Sequence, residues 1–123
     1  MQPALVLPPE PDRRWDLAGQ IGVEHAVVHT LEIGDGHRPH EFDDVLSMYN
    51  RFADSGIDLS VFEGGVPVTD TTRLGLDGRD EEIARFKELI RSCGRLDIPV
   101  ICYDWMAGIR WARTSDRIPA RGN

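Results

Sequence analysis

Three glycines stand at similar points along the chain, each between an amphipathic stretch and a short apolar run. They are Gly22, Gly56 and Gly94, and the apolar runs that follow them begin at His25, Ile57 and Ile98. Glycine readily adopts the left-handed conformation with which many helices end, so each one is predicted to stop a helix. A strand after every helix predicts a parallel sheet, whose strands are joined by right-handed crossovers.

The stretches around these glycines supply the remaining elements. Residues 4–7 form a first apolar strand, which a proline-rich turn ends. Helical spacing of apolar residues predicts three helices. The first is capped by Asp12 and carries Trp15, Ala18 and Ile21; the second carries Phe42, Val45, Leu46, Tyr49, Phe52 and Ala53; the third is capped by Asp80 and carries Ile83, Phe86, Leu89 and Ile90. The chain is therefore predicted to be α/β, with four parallel strands alternating with three helices.

Two architectures share this order of elements. One is a small doubly wound sheet, and the other is the amino-terminal half of a (β/α)8 TIM barrel, which takes about 250 residues in full. The hydrophobic periodicity does not separate them. At 123 residues, the chain has room for one domain with a modest core.

Composition narrows the classes of partner. Lys and Arg total 14 against 21 Asp and Glu, which gives a net charge of −7 and argues against general nucleic-acid binding. No apolar run approaches membrane length, and residues 1–7 are too short and too uncharged for a signal peptide. We therefore expect a cytoplasmic protein that binds neither nucleic acid nor a membrane.

The cysteines and histidines do not predict a metal site. Cys93 and Cys102 have neither metal-ligand nor disulfide spacing, and both are predicted to be small buried side chains. His37 and His40 flank an Arg-Pro pair, where proline disrupts a helical placement and no third ligand is specified. Ordinary loop histidines are therefore predicted.

Polar side chains at the ends of strands are the candidates for a functional site. In parallel α/β folds, chemistry lies just beyond the carboxyl ends of the strands. Glu63 ends the third strand beside two glycines, His29 ends the second, and Tyr103 ends the fourth. Trp105 lies in the loop after the fourth strand, where an indole can form the wall of a sugar pocket. The segment from Glu63 to Arg79 is long enough for a lid or a binding loop.

The second half of the chain carries three motifs. They are LGLDGRDEEI at residues 74–83, IPVICYDWM at 98–106 and WxRT at 111–114. In this combination and order they resemble the mannonate dehydratase family, whose members look like xylose-isomerase-type TIM barrels that use a divalent metal. The resemblance favours the half-barrel over the doubly wound sheet. It also implies a substrate role for Arg113, whose planar guanidinium suits a sugar-acid carboxylate.

The resemblance covers the amino-terminal half of a family member. It implies dehydration of D-mannonate, a sugar acid, to 2-keto-3-deoxygluconate in hexuronate breakdown, with Mn²⁺ or Fe²⁺ as the cofactor. The family's His, Cys and Asp metal ligands lie downstream of the matched region, so no metal is expected for this chain alone. Residues 1–123 are predicted to form a single partial barrel domain, truncated at its carboxyl end.

Two other functions stay open at this point. The chain can belong to a sugar isomerase or epimerase of the same barrel class, or it can be a non-catalytic half-barrel that pairs with another chain. A half-barrel has two sheet edges with unpaired backbone groups, and such edges invite pairing. Self-association of the chain is therefore expected.

Overall fold

The computed structural model describes residues 2–29, 40–63 and 68–108. Its strands are β1 Ala4–Val6, β2 His25–His29, β3 Asp58–Glu63 and β4 Val100–Cys102, and its helices are α1 Arg13–Gln20, α2 Phe42–Asp54, α3 Asp70–Arg73 and α4 Arg79–Arg95. The predicted alternation of strands and helices is confirmed, with the short helix α3 added before α4. Within the described residues, no helix has the length and apolar character that crossing a membrane requires.

The four strands form one parallel sheet in the order β1-β2-β3-β4. The spatial order follows the chain order and never reverses, whereas a doubly wound sheet has a point at which the order reverses. Right-handed crossovers that all run in one direction put every helix on the same face of the sheet. This arrangement is that of the first half of a barrel, as the sequence predicts.

The hydrophobic core lies between the sheet and the helices. Trp15 of α1 stacks on Phe52 of α2, with ring centroids 4.0 Å apart and ring planes 18° apart. The Trp15 indole N–H donates to the Pro8 carbonyl oxygen at 3.1 Å, so its one polar group is satisfied inside the core. Other buried members are Leu7, Ala18, Ala26, Val28, Val45, Met48, Ile57, Leu59, Phe62, Leu89, Cys93 and Ile98.

The ends of α1 and α2 follow the prediction. Asp12 caps α1, since its carboxylate accepts a hydrogen bond from the Arg14 backbone N–H at 2.8 Å. Gly22 and Gly56 follow the two helices with φ of 74° and 73°. A side chain at φ near these values is strained, which is why glycine suits both positions.

The predicted ends of the third long helix are wrong. Gly94 lies inside α4, and the left-handed residue after this helix is Asp97, with φ of 55°. Aspartate tolerates that conformation better than most residues, so a glycine is not required there. At the other end, Gly78 occupies the cap position with φ of 93°, and Asp80 lies in the first turn instead of capping the helix.

The two cysteines differ in their surroundings. Cys93 is buried on α4 as predicted, and burial raises the pKa of its thiol to about 11. Cys102 is exposed, so its predicted burial is wrong. The reason is strand alternation: Ile101 packs against the core, and its neighbour Cys102 therefore points to the opposite face of the sheet.

That opposite face carries a row of four valines in register, one from each strand. Val6 pairs with Val27, Val27 with Val61, and Val61 with Val100. The two outer members are 47% and 45% exposed, and the two inner ones are half-buried. We call this face the open face, because no helix of the described residues packs on it. Branched side chains in this position are typical of a barrel interior.

Candidate functional site at the carboxyl edge of the sheet

His29 and Glu63 meet at the carboxyl edge of the sheet. They are the last residues of β2 and β3 and are register partners, with His29 Nε2 and Glu63 Oε2 3.5 Å apart. Val28 and Phe62 point into the core, so the residue after each points to the open face. The two side chains are 35% and 40% exposed, and both are therefore accessible to a ligand.

Cys102 extends this pair to a third strand. It is the register partner of Glu63 and ends β4. We call His29, Glu63 and Cys102 the edge row. On each strand it lies two residues beyond the row of valines, and therefore on the same face. An imidazole next to a carboxylate can bind and transfer a proton, as general acid–base catalysis requires.

The loop after β4 holds two of the predicted substrate residues. Tyr103 is 59% exposed and packs edge-on against Phe86 of α4, with ring centroids 6.2 Å apart. This contact places Tyr103 on the helix side of the sheet, whereas the edge row lies on the open face. Trp105 is 58% exposed at the same edge of the sheet, and its indole is available to a ligand.

Arg113, together with His37, lies outside the described residues, so its predicted substrate role stays a prediction. His40 is described, and its carbonyl oxygen accepts a hydrogen bond from Ser92 Oγ at 3.1 Å. Its backbone thus anchors the start of α2 to α4. The structure therefore brings together His29 and Glu63 and places Trp105 in the loop beyond the same edge.

A protein-family model described as D-mannonate dehydratase (UxuA) matches residues 16–121, which is most of the chain. The chain belongs to the D-mannonate dehydratase family. The mannonate dehydratase of Thermotoga maritima is 31% identical over 93 residues, which are 76% of this chain and 25% of that protein. That of Streptococcus pneumoniae is 32% identical over 72 residues, or 58% of this chain and 19% of its own length.

A solved structure agrees with this assignment of the fold. The crystal structure of mannonate dehydratase from Streptococcus suis matches with a TM-score of 0.76 and 22% sequence identity, over 99% of this chain and 35% of that one. Likeness at this identity shows the fold, which is the amino-terminal half of a TIM-like barrel. The chain thus spans between 19% and 25% of these two sequence relatives.

Mannonate dehydratases are generally metal-dependent, and a metal ion would need ligands from residues such as those of the edge row. A divalent ion requires at least three well-placed ligands. Within residues 2–29, 40–63 and 68–108, no group of three His, Cys, Asp or Glu side chains could hold one. The described residues by themselves therefore do not form a site for the family's metal.

A groove of about 580 Å³ lies away from this edge. It is lined on one side by Asp12, Trp15 and Asp16 of the α1 region, and on the other by Ser55 and Ile57, which precede β3. Ser55 and Ile57 come before the amino end of that strand, whereas barrel chemistry lies at the carboxyl ends. This groove is therefore separate from the candidate site.

Sequence reasoning missed α3 and the residue that anchors it. The Glu82 carboxylate, on α4, accepts four hydrogen bonds, from the backbone N–H and the hydroxyl of both Thr69 and Thr72. Partial burial opposes the charged form, but these hydrogen bonds outweigh it and hold the pKa of Glu82 below its ordinary value. The run Thr69-Asp70-Thr71-Thr72 was the available signal, since such residues cap helices.

We expect the stability of the chain to fall as acid protonates Glu82. The folded-state pKa is lowered, so the unfolded chain binds the proton more tightly. The stabilisation is complete above the ordinary value of 4.5 and is lost as the pH falls through the lowered folded value. Glu82→Gln removes this titration, and its urea midpoint should depend less on pH below about 5 than that of the native chain.

The control is Glu88→Gln, which removes an exposed carboxylate from the same helix and should keep the native pH dependence. Urea denaturation followed by circular dichroism at several pH values measures all three proteins. An unchanged pH dependence in Glu82→Gln would contradict the role given to the Thr69 and Thr72 hydrogen bonds.

Proposed function

We propose that the carboxyl edge of this sheet forms part of the sugar-acid pocket of a D-mannonate dehydratase. The observation that carries the proposal is the His29–Glu63 pair, which stands 3.5 Å apart at the edge where barrel enzymes hold their substrates. In this proposal Trp105 contributes a wall and Arg113 a carboxylate contact, whereas Tyr103, on the helix side of the sheet, reaches the substrate only from beyond the edge. The substrate class is a sugar acid, and the reaction of the whole protein is dehydration of D-mannonate.

The chemistry of such a dehydration explains why a paired acid and base suit this edge. A proton must leave the carbon next to the carboxylate, and a hydroxyl must leave the carbon beyond it, so proton acceptors and donors must stand close to the sugar chain. His29 Nε2 can hold a proton and share it with Glu63 Oε2. In this proposal the pair binds sugar hydroxyls and orients the substrate against Trp105.

The remaining properties follow from the family and are part of the same proposal. Residues 1–123 form a single partial barrel domain of a cytoplasmic enzyme. For the whole protein, a divalent ion such as Mn²⁺ or Fe²⁺ would supply Lewis-acid chemistry when bound. The described residues alone offer no group of three His, Cys, Asp or Glu side chains that could hold the ion.

Binding of D-mannonate to the chain is expected to weaken when His29 is replaced by alanine. Loss of a hydrogen bond to a charged group costs about 1.5–3 kcal/mol, which corresponds to a rise in Kd of about 10- to 150-fold. Titration followed by NMR measures the Kd and shows which residues respond, and the signals of His29, Glu63 and Trp105 should shift together.

The matched control is His25→Ala. His25 begins the same strand and lies on the same face, but at the amino end, where its Nδ1 is 3.0 Å from Ser60 Oγ. It should leave the Kd within about twofold of the native value. Equal weakening in both variants, or shifts confined to the amino end of the sheet, would contradict a site at the carboxyl edge.

The open face supports a second proposal, that it is covered by another half-barrel. The row of valines is apolar, and β1 and β4 each leave one edge without a neighbouring strand among the described residues. A second copy of this chain offers the same four strands and can pair β4 with β1 of its partner. Self-association is therefore the way in which this chain can cover its open face without another protein.

A further inference from the structure

Arg73 is a buried cation in the short helix α3. Its side chain is only 1% exposed, and Nη2 donates to Asp104 Oδ1 at 2.6 Å and to the Asp104 carbonyl oxygen at 3.2 Å. Asp104 lies two residues beyond β4, in the loop that carries Trp105. The guanidinium therefore joins the loop after β3 to the loop after β4.

A second residue of α3 contacts the far end of the same segment. Asp70 Oδ1 accepts a hydrogen bond from the Gly108 backbone N–H at 3.4 Å. Arg73 and Asp70 thus hold residues 104 and 108, and the exposed Trp105 lies between these two points. We call residues 104–108 the tryptophan loop.

The helix that holds this loop is itself held firmly. Glu82 of α4 accepts hydrogen bonds from Thr69 and Thr72, on either side of Asp70 in the sequence. Helix α3 is therefore fastened to the seventeen-residue helix α4. A residue on α3 is therefore held at a fixed place relative to α4.

Arg73 is poorly arranged for stability alone. Its Nε and Nη1 groups are buried and find no hydrogen-bond acceptor in the part of the chain that the structure describes. Buried donors without acceptors are unfavourable, and replacing both members of a buried ion pair by apolar residues is often neutral or stabilising. Loss of Arg73 alone does not leave a buried charge behind, because the Asp104 side chain is 39% exposed to water. An apolar residue of similar length would fill this space without that cost, yet the chain carries arginine here.

The charges around Arg73 argue against direct binding of an anionic substrate. Asp104 is in contact, and Asp70 Oδ1 lies 3.6 Å from Nη1, so two carboxylates surround one guanidinium. A sugar-acid carboxylate would meet a negative balance of charge at this place. The bonds of Arg73 point instead to a role in fixing the loop.

We propose that Arg73 is a positioning residue that holds the tryptophan loop, and with it Trp105, at the carboxyl edge of the sheet. The inference rests on the proposed function only in treating Trp105 as a pocket residue. The order that Arg73 gives to the loop is a property of the chain by itself, without substrate.

The test compares Arg73→Met with Arg73→Lys and with the control Arg79→Met. Methionine fills the space without hydrogen bonds, and lysine keeps the charge and can donate to Asp104. Arg79 is an exposed arginine near α3, whose Nη1 donates to the Gly75 carbonyl oxygen at 3.2 Å and whose Nε lies 3.6 Å from Asp80 Oδ1. Neither partner belongs to the tryptophan loop. Nitrogen-15 relaxation gives the backbone order parameter of residues 105–107, and urea denaturation gives the stability.

We expect order parameters of about 0.85 in the native chain and in Arg79→Met, and below about 0.6 in Arg73→Met. Arg73→Lys should restore part of the difference, and the urea midpoint of Arg73→Met should equal or exceed the native one. An unchanged order parameter in Arg73→Met would overturn the proposal. A loss of order that comes with a lower midpoint, or a failure to fold, would show a structural role instead and would also overturn it.

The measurement separates this inference from the proposed function. The order parameters are measured without a ligand. If Arg73 orders the loop but the chain does not bind D-mannonate, the result counts against the sugar-acid pocket alone. Conversely, a loop that stays ordered in Arg73→Met, in a chain that binds D-mannonate, would count against the positioning role alone.

Discussion

Replacing Phe52 by alanine is expected to lower the free energy of unfolding by about 3–5 kcal/mol. Phe52 is fully buried at 0% exposure, and its ring stacks on Trp15 across the interface of α1 and α2. Alanine removes the stacked ring and leaves a cavity that the neighbouring helices fill only in part. Since whole domains are stable by about 5–15 kcal/mol, a large share of the chains would unfold at moderate urea concentrations.

Urea denaturation followed by circular dichroism measures this loss. Phe86→Ala is the matched control, since it makes the same change at a half-buried ring that touches Tyr103 edge-on. We expect its effect to be less than half as large. Equal losses in the two variants would mean that the stacked pair does not lie at the centre of the core.

The second large effect concerns association through the open face. At micromolar concentrations the purified chain is expected to form a dimer of twice its 13.8 kDa mass, in which the row of valines is covered. Val100→Lys places a charge in this row at a position that is 45% exposed in the single chain, so the fold tolerates it. In the dimer the charge would be buried, and the dimer Kd should rise about 100-fold or more.

Sedimentation velocity gives the mass, and Leu17→Lys is the control. Leu17 is 44% exposed, nearly the same as Val100, but it lies on α1, on the helix side of the sheet. Alkylation of Cys102 gives a second measurement, since covering the open face should slow it as the concentration rises. A strictly monomeric chain, with β4 amides protected to the level of global unfolding, would contradict the prediction.

Local chemistry explains which parts of the fold were predictable. The segment His25–His29 was predicted with the bounds that the structure shows, because apolar alternation and the preceding Gly22 act within a few residues. Gly94 misled because a glycine inside a helix is tolerated, and Asp97 took the left-handed position that the next strand requires. The residues around Gly94 and Asp97 do not indicate which of the two adopts the left-handed conformation.

The candidate site was predictable only in part, for a physical reason. The rule that strand ends carry chemistry singled out His29 and Glu63, which are 34 positions apart, but their 3.5 Å approach depends on strand register. The bond between Arg73 and Asp104 has no periodic signal at all, because a loop helix meets another loop there. Contacts of this kind come from the assembled sheet and leave no mark on local hydrophobicity.

One irregularity of the sheet decides what stands beside His29. The pairing of β2 with β3 shifts between Ala26 and Val27, and Ser60 is the additional residue. If Ser60 were not an extra residue, His29 would pair with Phe62, and Glu63 would lie beyond the end of β2. The inserted serine changes the phase of alternation, so Leu59 and Phe62 both reach the core although they are three positions apart.

The hydroxyl of Ser60 lies 3.0 Å from His25 Nδ1, so the extra residue has a polar partner of its own. The extra residue near the amino end of β3 therefore places the Glu63 carboxylate, three positions further along the strand, opposite His29.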